Sequence, residues 1–172
     1  MPNVTDPYEL ALGVLSGTPV SLVALLETLP MTIWEWSPAP GEWTPYETLA
    51  HMLHVETAVI PVRVRQMLAE DGAALANPSE AAAPAPPEET LRAWQAAREA
   101  NLIFLRALPP AQLDRSGVHP RLGRITAREH IVEWAYHDLE HQRQLQATIE
   151  AYLHPAIGVF RALYTSPYPI DK

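Results

Sequence analysis

Three segments of this chain carry the same helix-start punctuation, and none shows the alternation of a strand. Asp6-Pro7-Tyr8-Glu9 and Thr44-Pro45-Tyr46-Glu47 each read as a cap, a first-position proline and a third-position glutamate. Thr126-Ala127-Arg128-Glu129 is the same box without proline. In such a box the cap oxygen accepts from the third helical amide, while the glutamate reaches back to the cap amide. Proline fits the first position because the N–H it lacks has no helical partner there. Apolar residues recur at helical spacing behind each start. The expectation is an all-α four-helix bundle with long crossover connections. It forms a single domain over residues 1–172, with a tail, 152–172, docked on the bundle or on a second subunit.

The first helix is expected from Pro7 to about Leu29, with a break and re-cap at Ser16-Gly17-Thr18-Pro19. The second runs from Pro45 to about Leu68. Pro61 inside it removes a backbone bond to Thr57 and kinks it. The third covers about Glu88 to Leu108 and the fourth about Ala127 to Ala151, with a short helix at Pro155–Leu163 in the tail. The segments 69–87 and 112–125 read as connections. The tryptophans Trp34, Trp36 and Trp43 fall in a loop and are expected to cover one end of the core.

Composition narrows the function. The formal charge is −8, which argues against broad electrostatic capture of nucleic acid. Without cysteine, thiolate metal sites, disulfides and a cysteine nucleophile are excluded. No secretory leader is visible, and no consecutive apolar run approaches the length of a membrane span. The expectation is a cytoplasmic protein acting on a small molecule, with no nucleic-acid or membrane partner.

The chemistry concentrates in histidines. His137 and His141 lie four apart, so on a helix they sit about 40° apart around the axis and about 6 Å along it. Both imidazoles can then reach one point. Trp134 and Leu145 near the same stripe mark it as a buried face. Buried neutral histidines need partners for both ring nitrogens, and a metal supplies one. A third histidine from a neighbouring helix would leave a coordination position for water. His51 and His137 both lie two to three turns into their helices, about 10 and 16 Å from the start. Such depths can meet in adjacent helices running the same way, or in opposed helices of matched length. His54 is the rival of His51, and is otherwise a pocket or outer-sphere residue. His130 reads as a pocket or structural histidine, while His119 and His154 read as surface residues. Glu133, four before His137, could hold a ligand's ring N–H or act as a base; a surface pair is the plainer alternative. Asp138 and Glu140 fall off the ligand stripe and are expected in solvent, and the capping role already accounts for Glu47.

Several segments together resemble the DinB/YfiT-like superfamily of bacterial four-helix-bundle proteins. They are Gly17-Thr-Pro19 before Leu22–Leu26, Pro38-Ala-Pro-Gly-Glu-Trp-Thr-Pro45, Glu47-Thr-Leu-Ala-His51 with Glu56, and Glu129–Gln144. The resemblance covers nearly the whole chain. It implies a metal triad of His51, His137 and His141, a divalent ion that is often nickel or zinc, and a homodimer. It also implies a link to relatives that are thiol S-transferases using low-molecular-weight thiols, or a thiol-dependent isomerase. The leading expectation is therefore a metal-dependent transferase using a small thiol. The alternatives are a metal-dependent hydrolase or a non-catalytic metal-binding stress protein. Three histidines suit zinc, nickel, iron or copper alike.

Overall fold

The computed structural model describes residues 6–78 and 85–168. Its helices are α1 (Pro7–Leu26), a short α2 (Met31–Trp34), α3 (Pro45–His54), α4 (Ile60–Ala69), α5 (Pro87–Arg106) and α6 (Ala127–Leu153). A π-helical turn, Val55–Val59, joins α3 to α4, so the two form one long element. With α1, α5 and α6 it makes the four-helix bundle. α1 packs on α5 and α6, α3 packs on both as well, and α4 packs on α6.

Both threonine caps form complete boxes. Thr44 accepts from the Glu47 amide and Glu47 accepts from the Thr44 amide; Thr126 and Glu129 do the same. Asp6 differs from the expectation: its carboxylate accepts from the Tyr8 amide at 3.0 Å and also pairs with Arg128 at 3.2 Å.

The expected break in the first helix is absent. α1 runs straight through Pro19 and ends at Leu26. By length and composition α1 could also cross a membrane, yet here Leu15, Leu22 and Leu26 are buried in the bundle. At Pro61 the expected irregularity takes a specific form. Proline has no N–H and crowds the carbonyl four residues back, and the helix responds by widening into the π turn just before it.

Strands were not expected, but a small sheet is present. β1 (Ala73–Ala74) runs parallel to β2 (Ser116–His119), which pairs antiparallel with β3 (Gly123–Thr126) in the register Ser116↔Thr126 to His119↔Gly123. Segments this short show no readable alternation. Gly117 allows the sheet to approach α4 closely, because a Cβ there would fall 2.5 Å from Leu75 and 3.0 Å from Met67. Beyond α6, residues His154–Ala162 form a 3-10 helix, broken at Gly158 and with no buried residue. Tyr152 at the end of α6 meets Trp36 edge-on, at 5.2 Å between ring centres. Residues 79–84 of the expected 69–87 loop, and the last four of the tail, lie outside the described residues.

The apolar core is in two parts. One contains Leu15, Val64, Met67, Leu105, Ile131 and Trp134. The other contains Leu22, Leu49, Met52, Leu91, Trp94 and Leu145. Along α1, α5 and α6, buried polar residues separate the two: Thr18 on α1, Arg98 and Asn101 on α5, and Asp138 on α6. His137 and His141 fall in the same interval of α6. A polar layer thus crosses the middle of the bundle, and it contains His137 and His141.

Candidate metal centre

His51 on α3 and His137 and His141 on α6 meet in this layer. The Nε2 atoms of His51 and His141 each lie 3.1 Å from Nε2 of His137. The three ligand atoms fall within 4.8 Å of one another, and the rings are half-buried. A neutral imidazole has one N–H and one lone pair. One hydrogen shared at His137 Nε2 serves one neighbour well and leaves the other poorly partnered. A cation would accept all three lone pairs at once. Bonds of about 2.0–2.1 Å in a tetrahedral shell place nitrogens about 3.4 Å apart, close to the spacing seen here.

Two further observations fit a metal. Nδ1 of His141 lies 2.9 Å from Oε1 of Gln144. An amide oxygen only accepts, so Nδ1 carries the hydrogen and Nε2 offers its lone pair to the centre. Burial, and then the charges of His141 and His54, push the His51 pKa down to about 4. Burial, and then His141 and His51, push that of His137 down to about 4. Both are neutral at pH 7, as ligation requires.

The other expected residues take varied positions. His54 contributes no atom to the cluster, although it lies close enough for its charge to act on His51. His130 is buried, with Nδ1 3.2 Å from a Glu133 carboxylate oxygen. Its buried Nε2 has no partner among the described residues. Glu133 thus pairs with His130, and its carboxyl pKa is lowered. Burial acts to raise it and is outweighed by the hydrogen bond and charge of His130. Trp134 lies against Arg98 at 5.5 Å.

The sequence predicts Trp43 in a core-covering loop. Its ring instead sits 5.0 Å from that of His51 and stacks on His141 at 6.0 Å with a 12° interplanar angle. The available signal was its position directly before Thr44, whose cap starts the helix of His51.

Asp138 requires the clearest correction: it is 1% exposed, and not in solvent. Its carboxylate accepts from Arg98 Nη1 at 2.6 Å and from Nη2 at 3.0 Å. Glu56 takes Nε at 2.9 Å and Nη2 at 2.7 Å. Nη1 also donates to the Leu15 carbonyl at 3.0 Å, so every guanidinium N–H has an acceptor. Burial alone would lower the Arg98 pKa; the hydrogen bonds and charges of Asp138 and Glu56 outweigh it and raise it. Glu140 pairs instead with Arg143 on the surface.

A four-helix bundle with three convergent histidines able to hold a metal defines the class. The chain belongs to the DinB superfamily, whose family model matches residues 15–145. Among solved structures it is similar to YfiT from Bacillus subtilis, at 19% identity over 86% of this chain and 89% of that one, with a TM-score of 0.73. YfiT is described as "a probable metal-dependent hydrolase with an unusual four-helix bundle topology". A second similar structure is TT2238, a four-helix bundle protein, at 26% identity over 81% of this chain and 98% of that one, with a TM-score of 0.62. A search of curated proteins finds no match.

Proposed function

We propose that this protein is a metal-dependent enzyme in which His51, His137 and His141 hold a divalent ion and leave it open to a small nucleophile. The observation carrying this reading is the convergence of three Nε2 atoms, two of them 3.1 Å from the third. A divalent ion held there would lower the pKa of a coordinated water or thiol towards neutrality. The chain's own groups prepare the site. Gln144 keeps the proton of His141 on Nδ1, and burial keeps His51 and His137 neutral. The ionised Glu133, held by His130, is the candidate proton acceptor for the incoming nucleophile. Trp43 forms a flat aromatic wall beside two of the ligands.

The first reading of the reaction is transfer of a small thiol to an electrophile, supported by the resemblance to thiol-using relatives. Hydrolysis is the second reading, favoured by the fold likeness to YfiT and its description. The ion would be zinc, nickel or iron.

Metal analysis of the wild type beside His51→Ala and His137→Ala tests the centre; equal stoichiometric metal in all three would refute it. Metal-loaded protein is then assayed for thiol consumption against electrophiles, and for ester and amide hydrolysis without thiol. Thiol-dependent turnover selects the first reading and thiol-independent turnover the second. Tight metal binding without either would leave a metal-binding protein.

A further inference from the structure

We infer that Arg98 is the positioning residue of the metal centre, setting the distance between the two elements that carry His51 and His137. This rests on the metal reading above.

The two carboxylates that Arg98 grips are Glu56 and Asp138. Glu56 lies in the π turn that continues the helix of His51, and Asp138 is the residue after His137. Each carboxylate therefore moves with a ligand. One planar guanidinium holds both through paired, directional hydrogen bonds, which fix separation and orientation together. Trp94 and Trp134 lie 5.2 Å and 5.5 Å from its central carbon, so the fork is also held by aromatic rings from both halves of the core.

The helix prolines complete this hub. Pro19 has no N–H, so the Leu15 carbonyl four residues back loses its helical donor. Arg98 Nη1 donates to that carbonyl at 3.0 Å. In the π turn the Ile60 amide bonds to the Val55 carbonyl. The Glu56 carbonyl would then look to residue 61, which is proline. Asn101 Nδ2 donates to it at 2.9 Å and to Glu56 Oε1 at 2.9 Å. The irregularities in α1 and before α4 thus expose acceptors for two side chains one turn apart on α5. Arg98 reaches all the bundle elements and ties their spacing at the level of the histidines.

Stability alone is a weak reason for such a cluster, because apolar residues of similar volume serve buried ionic positions as well or better. A site whose ligands must meet within fractions of an ångström does need fixed geometry. The hub also has a formal charge of −1, from Glu56 and Asp138 against Arg98, next in sequence to a ligand of the proposed cation.

The test uses Co²⁺ alone as probe, reading its affinity by competition and its ligand-field absorption. Two variants remove the fork: Arg98→Lys, which keeps the charge, and the combined Arg98→Met, Glu56→Leu, Asp138→Leu, which replaces the hub with apolar volume. Leu105→Ala, a cavity in the same core away from the ligands, controls for general loosening. Each is measured below its own unfolding midpoint. The expected result is Co²⁺ affinity weakened by about tenfold or more in a folded hub variant, with a shifted absorption band, and wild-type behaviour in Leu105→Ala. Wild-type affinity and spectrum in Arg98→Lys would overturn the inference, whether or not the combined variant folds. So would an equal change in Leu105→Ala. If the wild type itself binds no Co²⁺, the metal reading fails and the inference with it.

Discussion

Two polar centres share the middle of this bundle, and their bonding needs are met in opposite ways. Around Arg98 every guanidinium hydrogen has an acceptor, and Glu56 and Asp138 are almost wholly out of solvent. Around His137 three ring nitrogens face one another, and no placement of protons suits them all. The first centre is complete within the chain, whereas the second could hold a cation. The histidine rings are only half-buried, so water reaches the second centre and is shut out of the first. The contrast therefore separates a self-contained hub from a candidate binding site on chemical grounds.

The sharpest way to break this comparison is to unbalance the complete centre. Arg98→Met alone leaves two buried carboxylates without their cation and is expected to cost about 3–5 kcal/mol in denaturant unfolding. A loss below about 1 kcal/mol would show that the cluster opens to water. The converse holds at the histidines. His137→Ala removes the nitrogen that both others face, and is expected to weaken metal binding by more than the roughly 10–100-fold typical of an outer-sphere change, while leaving the fold intact. Calorimetric titration checks this, and unchanged affinity would eliminate the triad.

Acid separates the centres further. His51 and His137 have folded pKa values of about 4 against the ordinary histidine value of 6.5. Between those values the unfolded chain binds more protons, so the stability of metal-free protein rises with pH from about 4 to 6.5 and flattens above. Arg98 keeps its charge throughout this window. Thermal midpoints across about pH 4.5–7.5 in chelator check the sign; a midpoint that falls with rising pH would contradict it. A smaller effect is expected at Gln144→Ala, which frees the His141 tautomer and should reduce metal affinity about tenfold with little change in stability. The least is expected at Trp43→Phe: the fold stays, and part of the tryptophan quenching caused by Co²⁺ or Ni²⁺ disappears. Equal quenching in both proteins would place Trp43 away from the ion.

The two centres also differ in how far the sequence reveals them. The histidine pair is legible because its geometry is local: four residues on a helix whose cap, Thr126, is written beside it. His51 follows from its depth behind Thr44 and from the family resemblance. The Arg98 centre escapes such reading and Asp138 is misplaced by it, although α5 does carry a signal. Leu91, Trp94, Arg98, Asn101 and Leu105 form one continuous stripe, so a charge and an amide lie on a face otherwise apolar. Pro19 and Pro61 read as interruptions of single helices. Their larger consequence, exposed carbonyls that another helix must satisfy, appears only when α5 is alongside.

By itself the sequence determined the helix starts at Pro7, Pro45 and Ala127, the four-helix bundle and the pair His137 and His141, since caps and helical spacing act within a few residues. Tertiary structure decided the rest. It drew Trp43 over His51 and His141, paired the short strands across the sheet, widened the helix before Pro61 and buried Asp138 against Arg98. Each of these depends on partners far apart in the chain, where desolvation and hydrogen-bond geometry, rather than local preference, select the arrangement.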